Sequence, residues 1–152
     1  MSNARNIASI AGEDVLNASN EIVPVYACRA WVNFDGTSEL SGDGLGNDNS
    51  SPTAGEGLVI RGSGNVSSCI FNATGNFTVN FESDMPSTNY CVNVSAKQDE
   101  SGLGTYVFGS FYAGSGATVS EVFKTGSVRV TCNLGNSTAL YPAVVMCVAI
   151  FC

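Results

Sequence analysis

Six consecutive residues constrain this chain more than any others. In Asn76-Phe77-Thr78-Val79-Asn80-Phe81 an apolar side chain alternates with an amide or a hydroxyl. A strand turns successive side chains to opposite faces, so Phe77, Val79 and Phe81 share one face and Asn76, Thr78 and Asn80 the other. The same period of two recurs in residues 89–96, where Tyr90, Val92 and Val94 oppose Cys91, Asn93 and Ser95. It recurs again in 127–132, where Val128, Val130 and Cys132 oppose Arg129 and Thr131. Residues 23–34 differ, with Tyr26, Cys28, Ala30, Val32 and Phe34 on one face and Val25, Ala27, Arg29, Trp31 and Asn33 on the other. Both faces are substantially apolar, which predicts a central strand. Further strand-like runs cover 57–63, 66–71, 105–113, 118–123 and 142–152, punctuated by Gly, Asn and Ser. About nine strands and no long window with a helical period predict an all-β fold, an antiparallel, jelly-roll-like β-sandwich.

Residues 1–22 carry only isolated apolar positions and read as an N-terminal arm, with Arg5, Asn6, Ile7 and Ile10 as anchoring candidates; residues 23–152 then form one β-sandwich domain. Between Gly36 and Glu56 the chain is rich in Gly, Ser, Asn and Asp, which predicts a long loop. The last strand, running to Cys152, is apolar enough to require cover from a sheet neighbour or another copy.

Charge excludes several classes. Only 12% of residues are charged, about half the share of an ordinary soluble domain. Such a surface of hydroxyls, amides and glycines loses little hydration when a second surface covers it. The net charge is −7, and the six cations are dispersed one by one, so the clustered Lys and Arg of a nucleic-acid interface are missing. The N-terminal residues hold no apolar run of secretory-signal length, and the apolar stretch 143–152 is about half of a bilayer span, which predicts no membrane insertion. Six cysteines without a CxxC pair, each in an apolar or alternating segment, predict buried free thiols, with disulfides or a metal site as the alternatives.

Chemistry is constrained by an absence: the chain contains no histidine. Ser-His-Asp and Cys-His catalysis are thereby excluded, with most metalloenzyme ligand sets. Asp35, Glu82 and Asp84 offer carboxylates, but nothing selects an acid–base pair, and no catalytic residue is assigned. Asp43 and Asp48, flanked by Asn47 and Asn49, are the one set of oxygens suited to calcium, without EF-hand spacing. Seven Asn-x-Ser/Thr triplets are read as chance in a chain this rich in those residues. Arg29 and Trp31, two apart on one strand face, suit a cation–π pair and, with Tyr106, Phe108, Phe111 and Tyr112, a glycan-binding surface. A lone Trp equally suits core or a subunit interface.

The stretches CRAWVNFDGT (28–37) and VIRGSGNVSSCIFNATGNFTVNFESDMPSTNYCVNV (59–94) resemble a module of tail-fibre and related virion proteins of tailed bacteriophages, especially marine and cyanobacterial ones. The family pattern is CRAWVNFNGT, IRASGNVSSI and G.YTVNFTTAMPDANY. Asp35 here replaces the usual Asn, Gly62 the usual Ala and Cys69 an aliphatic residue, and the loop after Ser38 is longer. NARNIASIAG also resembles the opening of such proteins, while residues 95–152 are similar only generically. The resemblance implies a non-enzymatic structural protein on the virion surface, made in the bacterial host cytoplasm and assembled as a homotrimer. Its arm would attach to other virion proteins of the tail, baseplate or major capsid. A short tail fibre or tail tip attaching to host surface glycans is the leading expectation, a capsid decoration (cement) protein the alternative, and a glycan depolymerase the least supported.

Overall fold

The computed structural model describes residues 15–16, 22–23, 28–39, 52–98, 107–111, 118–135 and 139–152. β1 (Val15–Leu16) and β2 (Ile22–Val23) form a short antiparallel pair. Eight longer strands follow: β3 (Cys28–Glu39), β4 (Leu58–Gly64), β5 (Val66–Ala73), β6 (Asn76–Phe81), β7 (Cys91–Lys97), β8 (Val107–Phe111), β9 (Ser127–Leu134) and β10 (Val145–Phe151). They build two antiparallel four-stranded sheets, a front sheet in the order β4-β3-β10-β7 and a back sheet in the order β5-β6-β9-β8. The all-β sandwich expected from the alternating runs is therefore the fold. Among the described residues no helix is long and apolar enough to cross a membrane.

The inward faces follow the period of two. Ala30, Val32 and Phe34 of β3 and Met146, Val148 and Ile150 of β10 meet Phe77 and Val79 of β6 and Val128, Val130 and Cys132 of β9, all buried in one cluster. Phe34 and Phe77 meet edge to face across the two sheets, with centroids 5.3 Å apart and planes at 76°. Burying an aromatic side chain of this kind stabilises by roughly 1.5–3 kcal/mol. Beyond Phe34 the sheets come closer still. A Cβ on Gly36 would stand 2.6 Å from the Phe77 ring, so only glycine lets β3 pass there.

Three expectations are corrected. The loop predicted from Gly36 begins later, because β3 continues to Glu39, which pairs with Leu58; the Gly36 N–H also donates to the Ala143 carbonyl at 2.9 Å. The run 118–123 is not a strand but contains a helical turn, α1 (Val119–Val122). There the Thr118 N–H donates to Glu121 Oε2 at 2.6 Å and the Glu121 N–H to the Thr118 carbonyl at 3.0 Å. This Thr-x-x-Glu exchange, a helix-start signature, outweighs the local β-branched composition. The bond from the Thr118 backbone, followed by that from its side chain, holds the Glu121 carboxyl below its ordinary pKa.

The third correction concerns sulfur. All six cysteines are free, but only Cys69 and Cys132 are buried, while Cys28 and Cys91 are exposed. Strand parity decides this for Cys91, which lies between the buried Tyr90 and Val92 and must point the other way, whereas Cys28 shares the parity of the buried Ala30 and is exposed where the register of β3 against β10 shifts between Ile150 and Phe151. Desolvation pushes the Cys69 thiol up to about 12 and the Cys132 thiol to about 11.

Candidate functional site

The outward side chains of the front sheet are set out by the strand register. Trp31 of β3 pairs with Gly64 of β4 on one side and Ala149 of β10 on the other, and Ala149 pairs in turn with Asn93 of β7. One row along, Asn33 pairs with Gly62 and with Cys147, and Cys147 with Ser95. Neighbouring strands lie about 4.8 Å apart, so these two rows span four strands on a single face.

Trp31 is 47% exposed, although most large apolar side chains of the front sheet point inward. The glycines opposite explain how it is accommodated. A Cβ on Gly64 would meet the indole Nε1 at 2.6 Å, and one on Gly62 would stand 3.5 Å from the far ring edge. The indole therefore lies down on a strip of β4 that carries no side chains. A long apolar side chain at either position would lift it off the sheet.

Beside the indole the surface is hollow. Ala149 and Cys147 are short, whereas Trp31 and Asn33 on one side and Asn93 and Ser95 on the other stand higher, leaving an open groove of about 470 Å³ along β10. That volume lies within the roughly 300–1,000 Å³ of small-molecule sites. Asn33 is steered by two contacts: its Nδ2 donates to Cys147 Sγ at 3.3 Å and its Oδ1 accepts from Arg61 Nη1 at 3.4 Å. The exposed side chains of Asn93 and Ser95 make no hydrogen bond to another described residue.

Of the charges nearby, Arg61 and Asp35 are matched to each other. Arg61 is the extra residue at a register shift of the β3–β4 ladder, where Asn33 pairs with Gly62 but Phe34 with Ile60. From there it donates to Asp35 Oδ2 at 2.6 Å and to the Phe34 carbonyl at 3.1 Å. Asp35 Oδ1 in turn accepts from the Thr37 N–H at 2.9 Å and the Thr37 hydroxyl at 2.7 Å. Asp35 thus serves the geometry of β3 beside its register shift against β4. Asp84, exposed, accepts from the Thr125 hydroxyl at 3.4 Å. Among the described residues no three metal-ligating groups converge.

Of the residues singled out by sequence, the structure brings together Arg29 and Trp31, both outward on β3, with Arg29 exposed one row beyond the indole. The ring contacts of the described residues do not include one between them, because Trp31 turns onto β4. Phe108 and Phe111 do not join this surface. Both belong to β8 of the back sheet, where the Phe111 ring packs on Phe123 at 5.3 Å. Tyr106, Tyr112, the calcium candidates Asp43 and Asp48, and the anchoring candidates Arg5, Asn6, Ile7 and Ile10 lie outside the described residues. Sequence reasoning missed Gly62, Gly64, Asn93, Ser95 and Ala149. The available signal was the Gly-x-Gly spacing in β4, which leaves one strand face bare.

Among the described residues the groove presents no reacting group beyond the Cys147 thiol. An exposed indole face suits the C–H face of a sugar ring, and amides and a hydroxyl suit its rim. No protein-family model, curated protein or solved structure matches this chain.

Proposed function

We propose that this chain is a structural protein of a tailed-phage virion, a short trimeric tail-fibre or tail-tip component, and that its front sheet attaches the particle to host surface glycans. The virion assignment is supported by the CRAWVNFDGT and GNVSS…FTVNF…MP..NY resemblance. The attachment role is carried by one observation: Trp31, half exposed, lies flat across Gly62 and Gly64 at the side of a groove rimmed by Asn93 and Ser95. An indole kept at the surface on a bare glycine strip adds little to the core, and it is available to a ligand.

The alternative, a capsid decoration protein, draws on a different surface. Phe111 and Val119 are 40% and 76% exposed on the back-sheet side, as apolar contacts to a neighbouring capsid subunit would be. Adsorption separates the two. Purified protein at micromolar concentration should compete with phage for host cells, and Trp31→Ala protein should not. If heads lacking the protein become fragile while adsorption is unchanged, the decoration reading replaces the attachment reading.

A further inference from the structure

We infer that the front-sheet groove selects uncharged oligosaccharides and does not recognise acidic glycans, and that the bound chain crosses β3, β10 and β7 with one ring on Trp31 and the next hydroxyls at Asn93 and Ser95. This rests on the glycan-attachment reading and adds the ligand class and its direction on the sheet.

Three observations carry it. First, the described residues that line the groove, Trp31, Asn33, Asn93, Ser95, Cys147 and Ala149 with the backbone of β3 and β10 between them, include no Arg, Lys, Asp or Glu. A carboxylate or sulfate entering the groove would lose water without gaining the charge-assisted bonds that repay it. Sugar hydroxyls need no such partner. Asn and Ser each both donate and accept, as a hydroxyl does.

Second, the cations nearby sit at the margins. Arg61 faces Asp35 at 2.6 Å, while Arg29 and Lys97 lie one row beyond the lining at opposite ends. The protein as a whole is acidic, with a net charge of −7, which disfavours approach of a polyanion.

Third, the two kinds of contact lie on opposite sides of the groove. The apolar platform, carried by β3, lies over β4, and Asn93 and Ser95, without hydrogen-bond partners among the described residues, are on β7, with the short Ala149 and Cys147 between. A ligand using both must lie across the strands, over Ala149. One running along β10 would reach only one side.

Trp31 is the only tryptophan in the chain, so its fluorescence reports this site alone. Purified protein is titrated with neutral probes (maltohexaose, cellohexaose, mannohexaose) and acidic ones (polygalacturonate hexamer, hexameric sialic acid) at 50 and 500 mM NaCl. At least one neutral probe is expected to shift the emission, with affinity unchanged within about 2-fold between the two salts, since screening acts only on charged pairs. Ala149→Leu should lower that affinity at least ~10-fold by filling the crossing point, and Trp31→Ala, titrated by calorimetry because it removes the fluorophore, should lower it as much by removing the platform. Asn93→Ala should lower it about 3- to 10-fold. Gly64→Ala, which removes no groove side chain, should weaken binding by displacing the indole; circular dichroism confirms that each variant is folded.

Binding of an acidic probe that fades with salt overturns the neutral class while leaving glycan attachment standing. Neutral binding that survives Ala149→Leu overturns the crossing direction. If no probe binds but the protein still blocks adsorption, the receptor is not a glycan of these types and the inference fails with attachment intact. If Trp31 is already shielded from acrylamide and becomes accessible on dilution, a second copy occupies the groove and both readings fall.

Discussion

On the back sheet, outward-facing Asn, Thr and Ser side chains bond to one another, whereas on the front sheet Asn93 and Ser95 bond to no described residue. Asn72 Nδ2 donates to Asn76 Oδ1 at 3.3 Å and to the Thr78 hydroxyl at 2.9 Å, and Arg129 Nη2 donates to the same Asn76 oxygen at 3.2 Å. Two strands along, the Ser110 and Thr131 hydroxyls stand 2.7 Å apart, and both donate to Asn133 Oδ1, at 2.6 and 2.9 Å. Asn76 and Thr131 are buried despite pointing away from the core. The same residue types therefore serve two ends. Polar groups whose partners lie within the fold hold the sheet together, while those without partners among the described residues are the ones the proposed attachment role assigns to a ligand.

The sharpest test of that contrast is Asn76→Ala. It removes the shared acceptor of Asn72 and Arg129 inside a buried network, and we expect a loss of about 2–3 kcal/mol in urea unfolding. Ligand binding on the opposite sheet should be untouched. If the loss is below about 0.5 kcal/mol, the range of ordinary surface changes, the back-sheet ladder is not structural and the comparison breaks.

How far sequence reached these two faces follows from range. Alternation within NFTVNF gave the inward Phe77, Val79 and Phe81 and the outward Asn76, Thr78 and Asn80 at once, because parity is a property of a single strand. It also implied that Cys91 shares a face with Asn93 and Ser95, but local apolar composition pointed to a buried thiol, and parity won. Trp31 was legible as a candidate, yet its glycine bed was not, since the Trp31–Gly64 pairing joins residues far apart and depends on a register no local pattern states. The pairing of Phe108 and Phe111 with Trp31 failed for the same reason: nothing local says which sheet a strand joins. At 118–123 a strand-like composition concealed the Thr118–Glu121 exchange that starts a helical turn.

Sulfur offers a second way to separate the sheets. The back sheet holds the buried Cys69 and Cys132, and the front sheet the exposed Cys28 and Cys91. Iodoacetamide at pH 8 should modify Cys28 and Cys91 in folded protein and leave Cys69 and Cys132 unmodified until denaturant is added, as read by peptide mass spectrometry. The pH dependence of stability has the same origin. In the fold Cys69 titrates at about 12 and Cys132 at about 11, against an ordinary 9.0. Tyr90, desolvated by burial against Phe81 and Phe123, titrates at about 12 against 10.0. The native state thus keeps protons that the unfolded chain releases, so this contribution is fully present below about pH 9 and is lost as pH rises toward 12. Replacing Cys69 and Cys132 by Val should flatten that alkaline decline. An unchanged decline would place its origin elsewhere.

A smaller effect is expected from Arg61→Ala. Its guanidinium is 40% exposed and its ion pair with Asp35 is solvent-screened, so the change should cost no more than about 1 kcal/mol. The consequence lies in position rather than stability. Without the Arg61 donor the Asn33 amide is held only by Cys147, and glycan affinity should fall about 2- to 3-fold, a loss comparable to one weak neutral hydrogen bond. An effect on affinity above tenfold would mean that Arg61 contacts the ligand directly and that the groove recognises charge after all.

The smallest change in stability belongs to the front-sheet pair. Asn93→Ala and Ser95→Ala remove exposed groups without partners among the described residues, so each should shift unfolding by less than about 0.5 kcal/mol. Alanine at outward positions of β7, an edge strand, forfeits some strand propensity, which sets the sign as slightly destabilising. This small number is what gives the variants their value, because any loss of binding then reads directly as lost contact. Asn76→Ala and Asn93→Ala remove the same amide from opposite sheets, and they should exchange effects: unfolding midpoint for the first, affinity for the second. Should Asn93→Ala lower stability as much as Asn76→Ala does, then Asn93 has a structural partner, and the polar rim of the groove belongs to the fold rather than to a ligand.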